Sequence, residues 1–479
     1  MKVFVLNAPA VNNVRIVREG RCMQRQDAWG TSWAPLTLAL IASILRQADF
    51  SVKLKDCPSE GVNLDSLEKE IKEFKPNILV VNTSTPSIDS DMPMAGWVKD
   101  IDPKIKTIFF GIHVSALPKE TLEAYLQAEF IAVGEPEHTI LDFALAVRED
   151  KPLNTVPGLV YKNNNQIYFN TPRGFINNLD DFPYPAWDLV DLKRYRLPIT
   201  RSPFLLVLIG RGCPYSCNFC AAGTFYGKTP RLRSPERIVS EMKYVRNNYG
   251  VSDFLFWSEN SMVDKKQLFT ISGLLAKENP KMRWVCNGRV DLVDEALLLA
   301  MKKGGCWMIG YGVESGSQRV LDLMGKKIRI EDIERTVNFT KKSGIQTTAH
   351  VILGYPGETK DDLRATARLV RRVNFDYIQT YCCVPFPGSE LYLAAKEKGW
   401  IIPAKWKYYE QNYSVISTPF LLPQDVMQSR AELAQSFYLR PGRILRAAVQ
   451  VSSIMGFFEL MLSSIWYFFS WIVPVKKTK

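Results

Sequence analysis

The sequence predicts an α/β chain: a Rossmann-like, doubly wound domain over residues 1–150, a connector over 151–200, a partial (β/α)6 barrel over 201–400, and a helical tail over 401–479. Three observations carry this. Short apolar runs alternate with amphipathic helical patterns in two separate blocks. Between the blocks lies a stretch with Pro183 and Pro185, which hold the backbone extended. Beyond Trp406 the pattern turns helical. A length of 479 residues suits two to three domains, and a 46% hydrophobic, 23% charged composition is that of an ordered globular protein.

In the first block, Val3–Asn7, Val52–Asp56, Ile78–Asn82, Thr107–Phe110 and Phe130–Val133 are apolar runs suited to buried parallel strands. Thr37–Arg46, Leu64–Phe74 and Thr121–Leu126 carry helical periodicity between them. Ligands of such sheets bind outside the carboxyl ends of the strands. Those ends read Asn7-Ala8-Pro9, Asn82-Thr83-Ser84-Thr85, Gly111-Ile112-His113 and Gly134-Glu135-Pro136-Glu137. No G-x-G-x-x-G follows the first strand, which argues against a dinucleotide. The polar stretch Arg18–Arg25 reads as a long loop that either caps a ligand through Arg18, Arg21 and Arg25 or is a solvated basic loop. Trp29–Trp33 either lines the pocket or packs beneath the sheet. Met1–Leu6 lacks the features of a signal peptide and reads as a first strand.

The connector opens with a hairpin pattern, Gly158–Tyr161 and Ile167–Phe169 around Asn163-Asn164-Asn165, and continues as an extended surface linker through Leu179–Asp188. In the second block, strands are predicted at Phe204–Ile209, Phe254–Trp257, Arg283–Cys286, Met308–Gly312, Thr347–Leu353 and Tyr377–Cys382. Helices fall at Pro235–Tyr249, Lys265–Glu278, Glu295–Lys303, Ile330–Ser343 and Lys360–Val373. Active sites of parallel barrels lie at the carboxyl ends of the strands. Glu259-Asn260, Asn287-Gly288-Arg289, Gly312–Gly316 and Gly354–Glu358 all fall there, with the loop after Ile209. His350 lies within an apolar strand and reads as a core histidine. Cys382 and Cys383 read as core thiols, with Cys382 at a strand end.

That loop, Arg211–Cys220, holds Cys213, Cys217 and Cys220 as C-x3-C-x2-C. Three thiolates on one loop suit an iron–sulfur cluster or zinc, both of which favour sulfur ligands. A structural zinc site wants a fourth Cys or His at short spacing, and none is present. A 4Fe–4S cluster held by three cysteines keeps one iron open to a small molecule.

This spacing, with the aromatic Phe219 before the last cysteine, resembles the radical S-adenosylmethionine (SAM) superfamily. The resemblance implies that the cluster on Cys213, Cys217 and Cys220 binds SAM and cleaves it reductively. The resulting 5′-deoxyadenosyl radical then takes hydrogen from an unactivated carbon. Gly310–Gly316 is similar to the superfamily's strand-end motif, in which Glu314 and Ser315 would bind the ribose hydroxyls and amino acid portion of SAM. A carboxylate suits this because it accepts from both hydroxyls. Lys326 matches a basic position near the SAM carboxylate. Gly354–Thr359 resembles the turn that packs near adenine, with Glu358 capping the next helix. Glu259 matches an acidic strand-end position, and Arg289 suits a carboxylate of SAM or substrate, or a structural ion pair.

Placed ahead of such a core, residues 1–150 resemble the cobalamin-binding domain of one radical SAM subclass, with Gly111–Pro118 and Gly134–Glu137 as the matching segments. The D-x-H-x-x-G motif is missing, so no histidine ligand to cobalt is expected, and His113 and His138 read as hydrogen-bonding loop residues. The subclass includes hopanoid- and lipid-modifying enzymes and the anaerobic magnesium-protoporphyrin ester cyclase. It implies either cobalamin-dependent C-methylation or radical coupling, cyclisation or oxidation without methyl transfer, and an external flavodoxin- or ferredoxin-like electron donor. From a different class stands a non-catalytic cluster-bearing redox or scaffold protein.

The net charge of +12 suits either nucleic acid or an acidic membrane surface. No RNA-binding domain is visible, so no nucleic-acid partner is expected. Ile454–Val473 is apolar with the single charge Glu459, and lysines and arginines flank it. Its length suits a membrane span, whereas its narrow polar stripe favours a helix lying in the interface; a packed internal helix is the alternative. Cysteines without an extracellular disulfide pattern indicate a reducing compartment. Together these place the chain in the cytoplasm, peripheral to the inner face of the membrane, acting on a lipid or similarly hydrophobic substrate.

Overall fold

The computed structural model describes residues 1–10, 14–20, 25, 31–197, 200–279 and 281–443. The apolar segment at 454–473, Arg21 and Trp29 therefore lie outside the described residues. Two sheets organise the chain. The first is built from β1 (Lys2–Asn7), β2 (Ser51–Asp56), β3 (Ile78–Thr83), β4 (Lys106–Gly111), β5 (Phe130–Ala132), β6 (Leu159–Asn163) and β7 (Gln166–Phe169) in the order β2-β1-β3-β4-β5-β6-β7. The strands from β2 to β5 pair in parallel, and β6 and β7 join antiparallel. The hairpin read in the connector thus extends the first sheet. Every residue of β3 is buried, as its continuous run of Ile, Leu and Val requires when helices cover both faces.

The second sheet holds β8 (Phe204–Leu208), β11 (Asp253–Trp257), β12 (Arg283–Gly288), β13 (Cys306–Glu314), β14 (Gln346–Leu353) and β15 (Tyr377–Cys382), all parallel and adjacent in chain order. Between β8 and β11, the short strands β9 (Gly210–Arg211) and β10 (Arg231–Leu232) form an antiparallel pair flanking the cysteine loop. Consecutive order without a closing pair between β8 and β15 is an open, six-stranded barrel, as the alternation predicts. Helices Pro235–Tyr249, Glu295–Lys303 and Lys360–Val373 have the predicted bounds. Each begins at a Ser, Asp or Thr whose side chain accepts from a first-turn N–H.

The stretch Leu179–Asp188 differs from the surface linker that its prolines suggest. Leu179 and Trp187 are buried, and the stretch is bonded to both blocks. Ser43 Oγ donates to the carbonyl of Tyr184 at 2.7 Å, and an Arg237 guanidinium N–H donates to that of Phe182 at 2.9 Å. It is a strap fixed at its Phe182 and Tyr184 carbonyls by helices Leu36–Gln47 and Pro235–Tyr249. Trp33 likewise sits between the blocks and not beneath the first sheet: its ring meets Trp257 edge-on at 5.3 Å.

Candidate functional site

The carboxyl ends of the two sheets face one another across a buried ionic seam. Glu135 and Glu137 follow β5, while Arg211 and Arg231 come from the paired strands β9 and β10. Arg231 bonds Glu135 through two nitrogens at 2.7 and 2.9 Å. Arg211 grips Glu137 with both terminal nitrogens and lies between the rings of Phe182 and Tyr226. All four charges are less than a tenth exposed. The motif Gly134–Glu137 thus clamps the cysteine loop's stem; sequence reasoning missed this because neither Arg211 nor Arg231 carries a local signal of its partner.

Two residues beyond Arg211 the cysteine loop begins. Gly212 adopts φ +87°, and a Cβ there would meet the Thr229 carbonyl oxygen at 2.3 Å, so only glycine fits. Its N–H donates to the Glu259 carboxylate at 2.8 Å, which fixes the backbone just before Cys213. The far side of the loop is pinned by Asn218, whose backbone N–H reaches the Met324 carbonyl at 3.0 Å and whose side-chain amide reaches that of Leu323 at 3.0 Å. Phe219 packs against Val320, Met324, Ile352 and Tyr355. Cys213, Cys217 and Cys220 are all partly exposed. Burial raises the Cys217 thiol, and the nearby Lys326 ammonium opposes that rise.

The segment that receives the loop also carries Lys326. Its ammonium bonds Glu314 at 2.6 Å, with both side chains 8% exposed. A register shift in β13 accompanies Glu314, which has φ +60°. A Cβ on Gly312 would meet Glu314 Oε1 and Lys326 Nζ, each at 2.6 Å, so the ion pair occupies the space the glycine leaves. Arg289 holds Asp291 through two bonds of 3.0 Å, donates to the Lys326 carbonyl at 2.8 Å, and lies 3.7 Å over the Tyr215 ring. The sequence-predicted residues Cys213, Cys217, Cys220, Phe219, Glu259, Arg289, Glu314 and Lys326 therefore converge on one loop and its floor.

Ser315 stands apart from them. It is fully buried, and its hydroxyl faces Thr366 at 3.2 Å, closing the turn against helix Lys360–Val373. Glu358 is not a helix cap. Thr359 and Asp362 form the capping box, while Glu358 accepts from the N–H groups of Gly354 and Tyr355 inside the turn. Burial raises its carboxyl to about 8. Arg18, read either as a ligand contact or as part of a solvated basic loop, is neither: it is buried and engaged by Asp91 at 2.8 and 3.1 Å. Cys382 points to Met427, with its sulfur 3.6 Å away, and burial pushes its thiol to about 12. Alkylation of native protein at pH 8 should therefore spare Cys382 and Cys383, both under 4% exposed, until denaturant is added; peptide mapping reads this directly.

The donor chemistry can be tested against the groups this arrangement implies. Among the described residues no trio of His, Cys, Asp or Glu converges closely enough to hold a metal ion. The fit of a cluster rests on three accessible thiols sharing one loop that is pinned at both ends. For SAM, Arg289 keeps a buried nitrogen, Nη1, without a partner among the described residues, beside the Glu314–Lys326 pair. Over the first sheet, the order β2-β1-β3 places the reversal of strand order between β1 and β3. Its rim is polar, with Asn7 Oδ1 buried and unpartnered among the described residues while the Asn7 amide donates to Asp56 at 2.9 Å, followed by Ser84, Thr85 and the half-buried Ser115. Such a rim suits the carboxamides of a corrin.

His113 closes that rim, meeting Thr85 Oγ1 at 3.3 Å and the Trp406 ring edge-on at 4.7 Å. Burial lowers its imidazole to about 4. Its unfolded value is near 6.5, so the native state binds fewer protons and stability should fall as pH drops from about 6.5 to 4, by about 3 kcal/mol. His113→Gln should remove that part of the pH slope in urea titrations.

A B12-binding domain matches residues 28–144, and the Radical SAM superfamily matches residues 207–370. An uncharacterised methyltransferase of Pyrococcus horikoshii is 29% identical over 417 residues, 87% of this chain and 90% of its own length. The anaerobic magnesium-protoporphyrin IX monomethyl ester cyclase of Rubrivivax gelatinosus is 27% identical over 374 residues, 77% of this chain and 67% of its own. The fold is shared with the radical S-adenosylmethionine methyltransferase TsrM of Kitasatospora setae, solved with cobalamin and a 4Fe–4S cluster. The TM-score is 0.69 at 17% identity, covering 92% of this chain and 90% of that one.

Proposed function

We propose, for a chain that belongs to the radical SAM superfamily and carries a B12-binding domain ahead of the radical SAM core, that it is a cobalamin-dependent enzyme methylating an unactivated carbon of a hydrophobic, lipid-like substrate. The observation that carries this is the seam Glu135/Glu137–Arg211/Arg231, which sets the strand ends of the B12-binding domain directly against the stem of the cysteine loop. Both cofactor sites then border one space.

When bound, the cluster supplies the electron that cleaves SAM to a hydrogen-abstracting radical, and cobalamin supplies the methyl group. Cys213, Cys217 and Cys220 hold the cluster. Glu259 and Asn218 fix the loop, through Gly212 and through the carbonyls of Leu323 and Met324. Arg289 Nη1 and Lys326 receive the carboxylate of SAM, and Glu314 accepts from its ribose hydroxyls. Ser315 shapes the turn that carries Glu314. Asn7, Ser84, Thr85 and Ser115 hold the corrin amides. Among the described residues no helix is long and apolar enough to cross a membrane. The apolar stretch at 454–473, with lysines and arginines on both sides, supports a place at the inner membrane surface and a hydrophobic substrate.

The test is anaerobic. Reconstituted protein is given SAM, reductant, cobalamin and host lipid extract, and 5′-deoxyadenosine and S-adenosylhomocysteine are quantified together. Both rising with lipid supports methylation. Deoxyadenosine alone supports coupling or cyclisation, the class of the Rubrivivax relative. Neither rising, with the cluster intact, removes the lipid substrate.

A further inference from the structure

Four uncharged polar side chains line the inner face of the barrel beside the ion pair. Along β14, Ala349 and Val351 are fully buried on one face, whereas His350 is half-buried on the other. Along β15, Tyr377, Gln379 and Tyr381 are half-buried between buried neighbours. His350 is the register partner of Gly312 on one side and of Gln379 on the other. Its Nε2 lies 3.3 Å from Asn287 Oδ1 of β12, and its Nδ1 lies 3.2 Å from the Tyr381 hydroxyl. Tyr381 stacks on the imidazole with its ring at 9° and donates to Gln379 Oε1. The reach from β12 to β14 crosses β13 and depends on Gly310, where a Cβ would meet Asn287 Oδ1 at 2.2 Å and His350 Nε2 at 2.6 Å. The two glycines of Gly310-Tyr311-Gly312 thus do matching work: one leaves room for a charged pair, the other for a neutral chain.

That chain corrects the reading of His350 as a core histidine, and it has a defined capacity. It runs Asn287–His350–Tyr381–Gln379, with a carboxamide at each end. Whichever way the amides turn, each spends one of its two polar groups within the chain and keeps the other for the lumen. None of the four carries a carboxylate, an ammonium or a guanidinium. Beside Tyr381 the wall is apolar, made by Val320, Met324, Ile352 and Tyr355 together with Phe219 of the cysteine loop.

We propose that Asn287, His350, Tyr381 and Gln379 form the substrate subsite, binding an uncharged oxygen function, a hydroxyl or carbonyl, on an otherwise apolar substrate. Charged Glu314 and Lys326 serve SAM; the neutral array next to them serves the substrate whose carbon is to be modified. The inference rests on the radical SAM reading of the site.

The experiment compares wild type with Gln379→Ala, Asn287→Ala and Tyr381→Phe, the last keeping the stacked ring. Two quantities are measured in each reconstituted protein. One is SAM affinity, from its perturbation of the cluster's paramagnetic resonance spectrum. The other is the amount of total small-molecule cell extract giving half-maximal stimulation of deoxyadenosine formation. The expected result is SAM affinity within about twofold of wild type and a roughly tenfold rise in the half-maximal extract, the loss of one neutral hydrogen bond. Unchanged extract dependence in all three variants overturns the subsite. A matching loss of SAM affinity overturns it too, by assigning the array to SAM. If wild type binds SAM but no extract stimulates it, the underlying reading fails and takes the subsite with it.

Discussion

Cys217→Ser is expected to abolish SAM cleavage while leaving the chain folded. A hydroxyl is a poor ligand for iron where a thiolate is a good one, and two remaining thiols do not retain a 4Fe–4S cluster. Deoxyadenosine formation should drop by about 10³-fold or more, equivalent to at least about 4 kcal/mol of barrier. Iron and sulfide content of the reconstituted protein should fall with it. The fold should survive because the loop is fixed by other groups: Gly212 to Glu259, Asn218 to Leu323 and Met324, and Phe219 in its apolar contacts. Near-native circular dichroism with lost iron separates a ligand from a packing residue. Retained iron with wild-type turnover would remove Cys217 from the ligand set and with it the main premise of the proposed function.

How much of this was legible in the sequence depends on how local each signal is. Strand Tyr377–Cys382 and helix Lys360–Val373 were readable to the residue, since each period-2 or period-3.6 pattern lies within a few residues. The cysteine motif was readable for the same reason. Arg18 was not: its partner Asp91 is 73 positions away, so a basic loop residue and a buried ion-paired one look alike. His350 was misread because an apolar strand with one histidine suggests a core, and only the cross-strand neighbours Asn287 and Tyr381 reveal a polar lumen. Glu358 was misassigned because two acids, at 358 and 362, compete for one cap; geometry gives it to Asp362.

The seam between the domains yields the largest expected loss of stability. Arg211 and Glu137 are 4% and 0% exposed, and Glu137 accepts no other side-chain hydrogen bond recorded among the described residues. Removing the guanidinium, which lies over the rings of Phe182 and Tyr226, leaves the fully buried Glu137 carboxylate without its partner. Breaking a buried pair on one side typically costs about 3–5 kcal/mol, because the remaining charge is uncompensated. Arg211→Met should therefore lower the urea midpoint sharply. Replacing both partners is another matter: in Arg211→Met with Glu137→Leu the desolvation cost disappears along with the attraction, so most of the lost stability should return. Function should not return with it. Arg211 precedes Cys213 by two residues, and the clamp that Glu137 and Glu135 make on it sets where the cysteine loop stands relative to the B12-binding domain. The double variant should keep its cluster and cleave SAM, yet give a lower ratio of S-adenosylhomocysteine to deoxyadenosine than wild type. A single variant as stable as wild type would refute the energetic argument. A stable double variant with the wild-type product ratio would show that the seam holds the domains together without aligning their cofactors.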